Sequence, residues 1–355
     1  METCYSRPGL VCRCRQAIKI NLGGYILSFR EAREAKIGGK FLSYGASGSG
    51  KSTFQLTFPE VACVDSETGI AHYEGKEIEL NNGNTYNNLK IVDNTSDLDE
   101  LEDDLDDFLS GEYDGKIKTL SIDSETKFYA TMQIAASEVE ERRARRKGGD
   151  VDDASISTKQ WGRIKIINMK LQQAKIDLST KGIHIVSISQ EAEIKDDDGK
   201  KVIGYKPDMH KSVKFDYDTI LRHYTKKDNK TGEIGFFAEV IKDRTNVTKV
   251  GQIIENPCYD IWKDYYDAMN KLETNQTSYK KDLTTSTESL VDKADKSEEL
   301  AAEFKSVLKS LKDNKDALLK VNKLLKEKSI NLKQLEMQSP DVLTEMIDFA
   351  KLQLS

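Results

Sequence analysis

A glycine-flanked loop followed by lysine and serine is the part of the sequence with the clearest chemical meaning. Gly45 and Gly50 enclose four residues and are followed by Lys51 and Ser52, in the stretch GASGSGKST. Glycines let a chain curl so that successive N–H groups point toward an anion. A lysine ammonium and a serine hydroxyl can bind phosphate oxygens and Mg²⁺. The spacing therefore predicts a phosphate-binding loop.

This spacing matches the P-loop pattern G-x-x-x-x-G-K-[ST], which predicts binding of a nucleoside triphosphate, ATP by default, together with Mg²⁺. In this role Lys51 would reach the β- and γ-phosphates, Ser52 would ligate Mg²⁺ and Thr53 would lie beside the α-phosphate. The alternative is an ordinary glycine-rich turn with a surface lysine. The candidate nucleotide-binding residues are Gly45, Ala46, Ser47, Gly48, Ser49, Gly50, Lys51, Ser52 and Thr53.

A second metal ligand is predicted at Asp123, which ends the apolar strand of the stretch TLSIDSE. A carboxylate there can hold Mg²⁺ through the water shell of the ion. Strands that end in aspartate are common, so the prediction depends on the position of this one after the phosphate-binding loop.

The elements that must position these residues alternate along the chain. Short β-rich runs are separated by helical stretches, which predicts an α/β fold with a mainly parallel sheet and helices on both faces. A helix is predicted over Asp97–Leu109 with Ser96 as its N-cap, and its acidic run is interpreted as a solvated face rather than a metal site. The predicted strands are Phe41–Tyr44, Val61–Val64, Leu120–Ile122 and Ile183–Ile188.

The 355-residue chain is long enough for about two domains. We expect a lead-in at 1–38, an ATPase-type core at 39–273, a Thr- and Ser-rich linker at 274–296 and a small helical module at 297–355. The last helix of that module is predicted to begin with Ser339 as N-cap.

Composition excludes several classes of protein. No run approaches the roughly 18 apolar residues that a membrane span needs, and no secretory signal is recognisable. The five cysteines have no framework spacing, so we expect reduced thiols in a cytoplasm; a metal site at Cys12 and Cys14 is the alternative. The net charge of −6 argues against a dedicated duplex-DNA binder, so any nucleic-acid contact must come from a local patch.

Four stretches in order, GASGSGKST, VACVDSETG, TLSIDSE and IVSISQE, resemble the RecA-type ATPase core. The likeness is strongest to small phage-encoded RecA-like recombination proteins and the phage nucleotide-binding protein group, and it spans Lys40–Asn256. The resemblance implies a RecA-like fold with a P-loop, ATP hydrolysis, assembly into a homo-oligomer and the host cytoplasm as location.

The resemblance also implies roles for individual residues. Glu67, two residues after a strand-end aspartate, corresponds to the catalytic base, and Glu125 beside Asp123 competes for that role. Gln190 corresponds to a sensor of the γ-phosphate, with a plain strand-terminal glutamine as the alternative.

Lys242 and Arg244 are similar to the K-x-R of RecA-like hexameric helicases, where both cations enter the active site of the neighbouring subunit. The alternative is a charged hairpin end. Lys211 and Arg222 are weaker candidates for the same role.

A basic cluster ahead of two glycines stands where RecA-like proteins carry a loop facing the DNA axis. Its guanidinium groups suit a phosphate backbone whose sequence is not read. The alternative is a solvated helix face that balances nearby glutamates. The cluster comprises Arg142, Arg143, Arg145, Arg146 and Lys147.

The first functional hypothesis is an ATPase that oligomerises on single-stranded DNA and assists recombination or replication. The second is a nucleotide-gated switch or loader that docks a replication protein through its helical tail and needs no DNA. A third, a packaging-type ATPase, lacks a recognisable nuclease acid cluster in the sequence.

Overall fold

The computed structural model describes residues 32–152, 154–273 and 278–354. Most of the predicted lead-in therefore lies outside the described residues. The thiols of Cys4, Cys12 and Cys14 lie there too, whereas Cys63 and Cys258 are free and buried.

Within these ranges the strands are β1 (Lys40–Gly45), β2 (Val61–Asp65), β3 (Ile78–Glu79), β4 (Thr85–Tyr86), β5 (Leu89–Asp93), β6 (Thr119–Asp123), β7 (His184–Lys195), β8 (Val202–Pro207), β9 (Thr219–Lys227), β10 (Ile234–Asp243) and β11 (Ile253–Glu255). The α-helices are α1 (Lys51–Gln55), α2 (Leu98–Ser110), α3 (Glu125–Lys147), α4 (Thr158–Thr180), α5 (Asp260–Met269), α6 (Tyr279–Ser310), α7 (Lys315–Glu327) and α8 (Pro340–Leu352).

The main sheet has the strand order β11-β10-β9-β1-β7-β6-β2-β5, with β8 paired to β7 as a hairpin. The strands from β9 to β5 in this order run parallel, and β10 and β11 pair antiparallel at one side. This mainly parallel RecA-like sheet, together with the helical C-terminal region, confirms the predicted fold class. The carboxyl ends of β1, β7, β6 and β2 meet along one margin, which we call the carboxyl edge.

Apolar side chains alternate between the two faces of the sheet. On β1, Phe41 packs with Trp262 of α5 on one face, while Leu42 and Tyr44 point to the other. Helices α2, α3 and α4 cover the opposite face through a second cluster around Ile122. This period of two is what a sheet covered on both sides requires. The buried strands hold the ends of the loops at the carboxyl edge in place, and these loops carry the polar residues.

Two local predictions need correction. The N-cap of α2 is Asp97 rather than Ser96, since its carboxylate accepts the N–H of Asp99 at 2.8 Å. The predicted linker at 274–296 is helical from Tyr279 onward, where it forms the first half of α6. Polar composition there reflects a solvated helix surface, because a long helix on the outside of a fold buries little of itself.

The C-terminal helices α6, α7 and α8 have their own apolar core, which includes Phe304, Val321 and Met346. Ser339 is the N-cap of α8, as predicted, and accepts the N–H of Val342 at 3.4 Å. None of the described helices is long and apolar enough to cross a membrane.

Substitution of Phe304 by alanine tests whether these helices form a separate folding unit. Phe304 is fully buried, so the change should destabilise the unit by roughly 3–5 kcal/mol. Hydrogen exchange should then accelerate over residues 297–354 and remain slow in the sheet. The matched control is Leu319→Ala on α7, whose side chain is exposed and whose loss should stay within about 0.5 kcal/mol. Acceleration across the whole chain would contradict a separate unit.

Candidate nucleotide-binding site

The loop after β1 depends on glycine at three positions. A Cβ added at Gly45 would lie 2.1 Å from the carbonyl oxygen of His223, so β9 can approach only a glycine there. Gly48 and Gly50 have φ values of 71° and 88°, in the left-handed region that favours glycine. Residues 46–48 are exposed, and nothing lies within 4 Å of a Cβ built on Gly48. The loop is therefore an open curl at the carboxyl edge.

Lys51 bends back over this curl. Its Nζ donates to the carbonyl oxygens of Gly45 at 2.9 Å and Ala46 at 2.7 Å. Burial lowers the pKa of Lys51, and the carboxylates of Asp123 and Glu67 oppose that shift. The ammonium group is thus held at the loop, beside two carboxylates.

Helix α1, which follows the loop, contains five residues. A helix of about one and a half turns has only a small macrodipole. The loop N–H groups and Lys51 must supply most of the attraction for an anion.

Ser52 and Asp123 meet across the sheet. The Ser52 hydroxyl donates to Asp123 Oδ2 at 3.0 Å, although β1 and β6 are separated by β7. Burial raises the pKa of Asp123 to about 6, while the hydrogen bonds from Ser52 and Gln55 act to lower it. A bound cation would favour the ionised form of this carboxyl.

A cavity of about 460 Å³ opens beside the loop. This volume lies within the usual range for a small-molecule site. Besides residues of the loop and α1, the cavity is lined by ring, amide and apolar side chains, which suit a base and ribose more than further phosphates. These side chains include Tyr73, Leu80, Asn81, Phe236, Asn256 and Pro257.

These residues fit ATP and Mg²⁺. A hydroxyl and a carboxylate are the hard oxygen ligands that Mg²⁺ prefers. A glycine curl with a lysine over it suits a chain of phosphates, and the adjoining cavity has room for the nucleoside.

Glu67 and Gln190 lie together at the same edge. Glu67 Oε1 accepts from Ser124 Oγ at 2.7 Å and from Gln190 Nε2 at 3.1 Å. Both side chains are exposed. In the register of β1 and β7, Gln190 is the partner of Gly45, the first residue of the loop. The two residues inferred from the RecA resemblance therefore contact each other.

Glu125, the competing candidate for the base, is in a different environment. Its Oε1 is ion-paired with Lys175, accepts from Ser187 Oγ at 2.7 Å and lies 3.4 Å from Tyr217 OH. Glu125 and Lys175 are both buried. A carboxylate committed to such a network is not placed to activate water, so the geometry favours Glu67.

Several residues that the sequence did not assign hold this site together. Asp65 Oδ1 accepts the N–H of Glu67 at 3.0 Å, and its Oδ2 accepts that of Ile70 at 2.8 Å. Ser66 donates its N–H to the carbonyl of Asp123 at 2.7 Å. The stretch VDSE signals a turn after β2, but nothing local indicates that its partners lie near residue 123.

Lys242 and Arg244 lie at the opposite end of the sheet. Asp243 is paired with Thr219, which is aligned with Phe41 at the start of β1. The length of β1, roughly 13 Å at about 3.3 Å per residue, therefore separates Lys242 and Arg244 from the phosphate loop of the same chain.

Both cations have partners near that end of the sheet. Lys242 donates to the carbonyl oxygens of Phe215 and Tyr217, and the exposed Arg244 pairs with Asp218 at 3.2 Å. Neither side chain therefore contacts the phosphate loop of its own chain.

Arg222, a weaker candidate for that role, is also committed within the chain. Its Nε pairs with Glu191 at 3.0 Å, and its guanidinium lies 3.9 Å from the ring centre of Tyr205. The other weak candidate, Lys211, is exposed between β8 and β9.

The basic cluster at 142–147 lies in the last turns of α3 rather than in a loop, which corrects that expectation. It begins about 17 residues along the helix, roughly 26 Å from its start at about 1.5 Å per residue. Intrahelical ion pairs occupy part of the cluster, as the solvated-face alternative predicted. The pairs are Arg142–Glu138, Arg143–Glu140 and Arg145–Glu141.

The strand order, the glycine loop and the Ser52–Asp123 contact define a P-loop nucleotide-binding domain of the AAA and RecA-like type. The chain belongs to the AAA domain family (AAA_24), which matches residues 38–249. No curated protein matched the chain.

Among solved structures, flagellar accessory protein FlaH from Methanocaldococcus jannaschii matches at 12% identity and a TM-score of 0.32. The match covers 62% of this chain and 85% of that one. So distant a likeness says nothing about activity.

Paired isosteric substitutions separate the two candidate bases. Glu67→Gln should retain nucleotide binding and lower ATP turnover at least about 100-fold, because an amide cannot accept the proton of water. Glu125→Gln should lower the free energy of unfolding by on the order of 3–5 kcal/mol, since it leaves the buried Lys175 charge uncompensated. Its turnover per folded molecule should persist. Loss of turnover in a normally stable Glu125→Gln protein, with an active Glu67→Gln protein, would assign the base to Glu125.

Proposed function

We propose that this protein binds ATP with Mg²⁺ and hydrolyses it. The supporting observation is the convergence of Lys51, Ser52, Asp123, Glu67 and Gln190 at the carboxyl edge. They come from separate stretches of sequence, and a purely structural role gives no reason for an exposed carboxylate, Glu67, beside the half-buried Lys51 and the buried Asp123.

Each of these side chains has a distinct task in the proposed reaction. Lys51 and the loop N–H groups bind the β- and γ-phosphates, and Ser52 and Asp123 hold Mg²⁺, which neutralises charge on the phosphates when bound. Glu67 accepts a proton from the attacking water. Gln190 senses the γ-phosphate in this proposal, supported by its hydrogen bond to Glu67 at 3.1 Å.

We also propose that the ATPase acts on single-stranded DNA in phage-type recombination or replication. The basis is the resemblance to phage RecA-like proteins together with the helical basic cluster. Arg146 and Lys147 of that cluster are exposed at the end of α3, beside Gly148. Guanidinium and ammonium groups at a helix end can bind backbone phosphates without reading the sequence.

Assembly into a homo-oligomer is part of the same proposal. Arg244 is exposed and lies far from the phosphate loop of its own chain. In a head-to-tail assembly an exposed arginine at one end of the sheet can reach the nucleotide of a neighbour at the other end. Hydrolysis would then depend on assembly.

A second candidate function is a nucleotide-gated switch or loader whose tail, α6 to α8, docks a replication protein. The ion pairing of Arg142, Arg143 and Arg145 with glutamates favours it, because paired guanidinium groups attract DNA less. In this reading ATP turnover is independent of DNA.

ATP turnover measured with and without single-stranded DNA distinguishes the two candidates. DNA should stimulate the wild type, and alanine at the five basic positions of α3 should remove the stimulation. Each lost phosphate contact should also reduce the salt slope of binding by about 0.7. The control removes five exposed tail lysines, and stimulation should persist; equal turnover with and without DNA in the wild type supports the switch. The control positions are Lys309, Lys312, Lys320, Lys323 and Lys326.

Mixed assemblies of two variants test whether Arg244 acts at the nucleotide-binding site of a neighbouring subunit. Arg244→Ala and Lys51→Ala proteins should each be inactive alone, and mixing them should restore turnover at sites that combine an intact loop with an intact arginine. The matched control mixes Arg244→Ala with the Lys51→Ala/Arg244→Ala double variant, which should stay inactive. Turnover no higher in the first mixture than in the control would contradict a residue supplied in trans.

A further inference from the structure

A chain of buried polar groups lies directly beneath the Ser52–Asp123 contact. Gln55, the last residue of α1, is fully buried and donates from Nε2 to Asp123 Oδ2 at 2.7 Å. Its Oε1 accepts a hydrogen bond from the hydroxyl of Ser121. Ser121 is also fully buried and makes a longer contact of 3.3 Å to the carbonyl of Val186.

The strand geometry explains why one glutamine can reach both partners. Ser121 and Asp123 are two residues apart on β6, so their side chains share a face of the sheet. Ile122, which lies between them, and Leu120, which precedes Ser121, point to the other face, into the core under α2, α3 and α4. The amide of Gln55 lies against Ser121 and Asp123. Its oxygen accepts from Ser121, and its NH₂ group donates to Asp123.

This arrangement fixes which way the amide points. A carboxylate can only accept, so it requires the NH₂ end of Gln55, and the Ser121 hydroxyl can donate to the remaining oxygen. An apolar side chain of similar size would fill the same space without burying an amide, which is unfavourable unless both ends are bonded. The glutamine therefore serves the carboxylate of Asp123 rather than the packing of the core.

We propose that Gln55 is the positioning residue for the metal-binding carboxylate, with Ser121 orienting its amide. Gln55 anchors Oδ2 from below, which limits rotation of the carboxyl group. The inference rests on the proposed function, because it assigns Gln55 a task only if Ser52 and Asp123 hold Mg²⁺. Groups that orient a metal ligand from behind commonly change metal affinity about 10- to 100-fold when they are lost.

Binding of a fluorescent ATP analogue, titrated in EDTA and over a range of Mg²⁺ concentrations, tests the proposal without measuring turnover. Gln55→Met keeps the size of the side chain and removes both hydrogen-bonding ends. We expect nucleotide affinity in EDTA to stay within about twofold of wild type and the half-saturating Mg²⁺ concentration to rise about tenfold. Ser121→Ala should give a smaller rise, of about threefold, because Gln55 keeps its bond to Asp123 but loses its orientation.

The matched control is Thr57→Val, two residues further along the chain. The Thr57 hydroxyl donates to Phe54 O at 2.7 Å and accepts the N–H of Tyr259 at 2.9 Å, so it is a buried polar group with a structural role. Its loss should lower the melting temperature and leave the half-saturating Mg²⁺ concentration unchanged. A general loosening of the fold would affect both variants alike.

The possible results distinguish failure of the Gln55 positioning role from failure of the proposed function. If the wild type binds the analogue and Mg²⁺ strengthens binding, but Gln55→Met and Ser121→Ala have wild-type Mg²⁺ dependence, the positioning role is wrong and the proposed function stands. If the wild type does not bind the analogue, the proposed function fails and the inference fails with it. If Gln55→Met does not fold, the Ser121→Ala titration decides alone.

Discussion

The hydrogen bond between Ser52 and Asp123 is the contact on which the rest of the site depends. It joins the start of α1, which follows β1, to the end of β6; β7 lies between these two strands, so they are two strand spacings apart, roughly 9.6 Å at about 4.8 Å each. Parallel strands make this possible, because their carboxyl ends lie along one edge and their loops emerge together. A hydroxyl and a carboxylate then meet beside a lysine held over a glycine curl. Glu67 reaches the same point from β2, held by Asp65 and Ser124.

Environment, rather than residue type, distinguishes the two glutamates beside this contact. Glu67 is exposed and bonded to Gln190 and Ser124, groups that leave it open to water. Glu125 is two residues from Asp123 and buried with Lys175, where it links α3 to α4. A buried charge that loses its partner is strongly destabilising, so such a pair ties the helices to the sheet.

The fold class followed from sequence because its signals are local. A strand, a glycine loop and alternating apolar runs each occupy a few neighbouring residues, and the predicted α/β class is confirmed. Contacts between distant residues left no such signal: Gln55 and Asp123 are 68 positions apart, and Gln55 resembles any helix residue in the sequence. Composition did not predict the helix at 279–296. A Thr- and Ser-rich segment is typical of a linker, but it also suits the exposed surface of a long helix such as α6. The resemblance predicts a loop for the basic cluster, whereas three of its arginines follow glutamates by three or four residues, which is the spacing of one helix face.

In the proposed site, the loop Gly45–Thr53 holds a triphosphate while Ser52 and Asp123 hold its metal ion. A crystal structure with a nonhydrolysable ATP analogue and Mn²⁺ tests this arrangement. The diffraction data should be collected at a wavelength at which manganese scatters anomalously. We predict a manganese peak in bonding contact with Ser52 Oγ, with Asp123 directly or through water beside it and the phosphates along the loop. Nucleotide bound elsewhere, or a loop without phosphates and a manganese peak away from Ser52, would contradict the account.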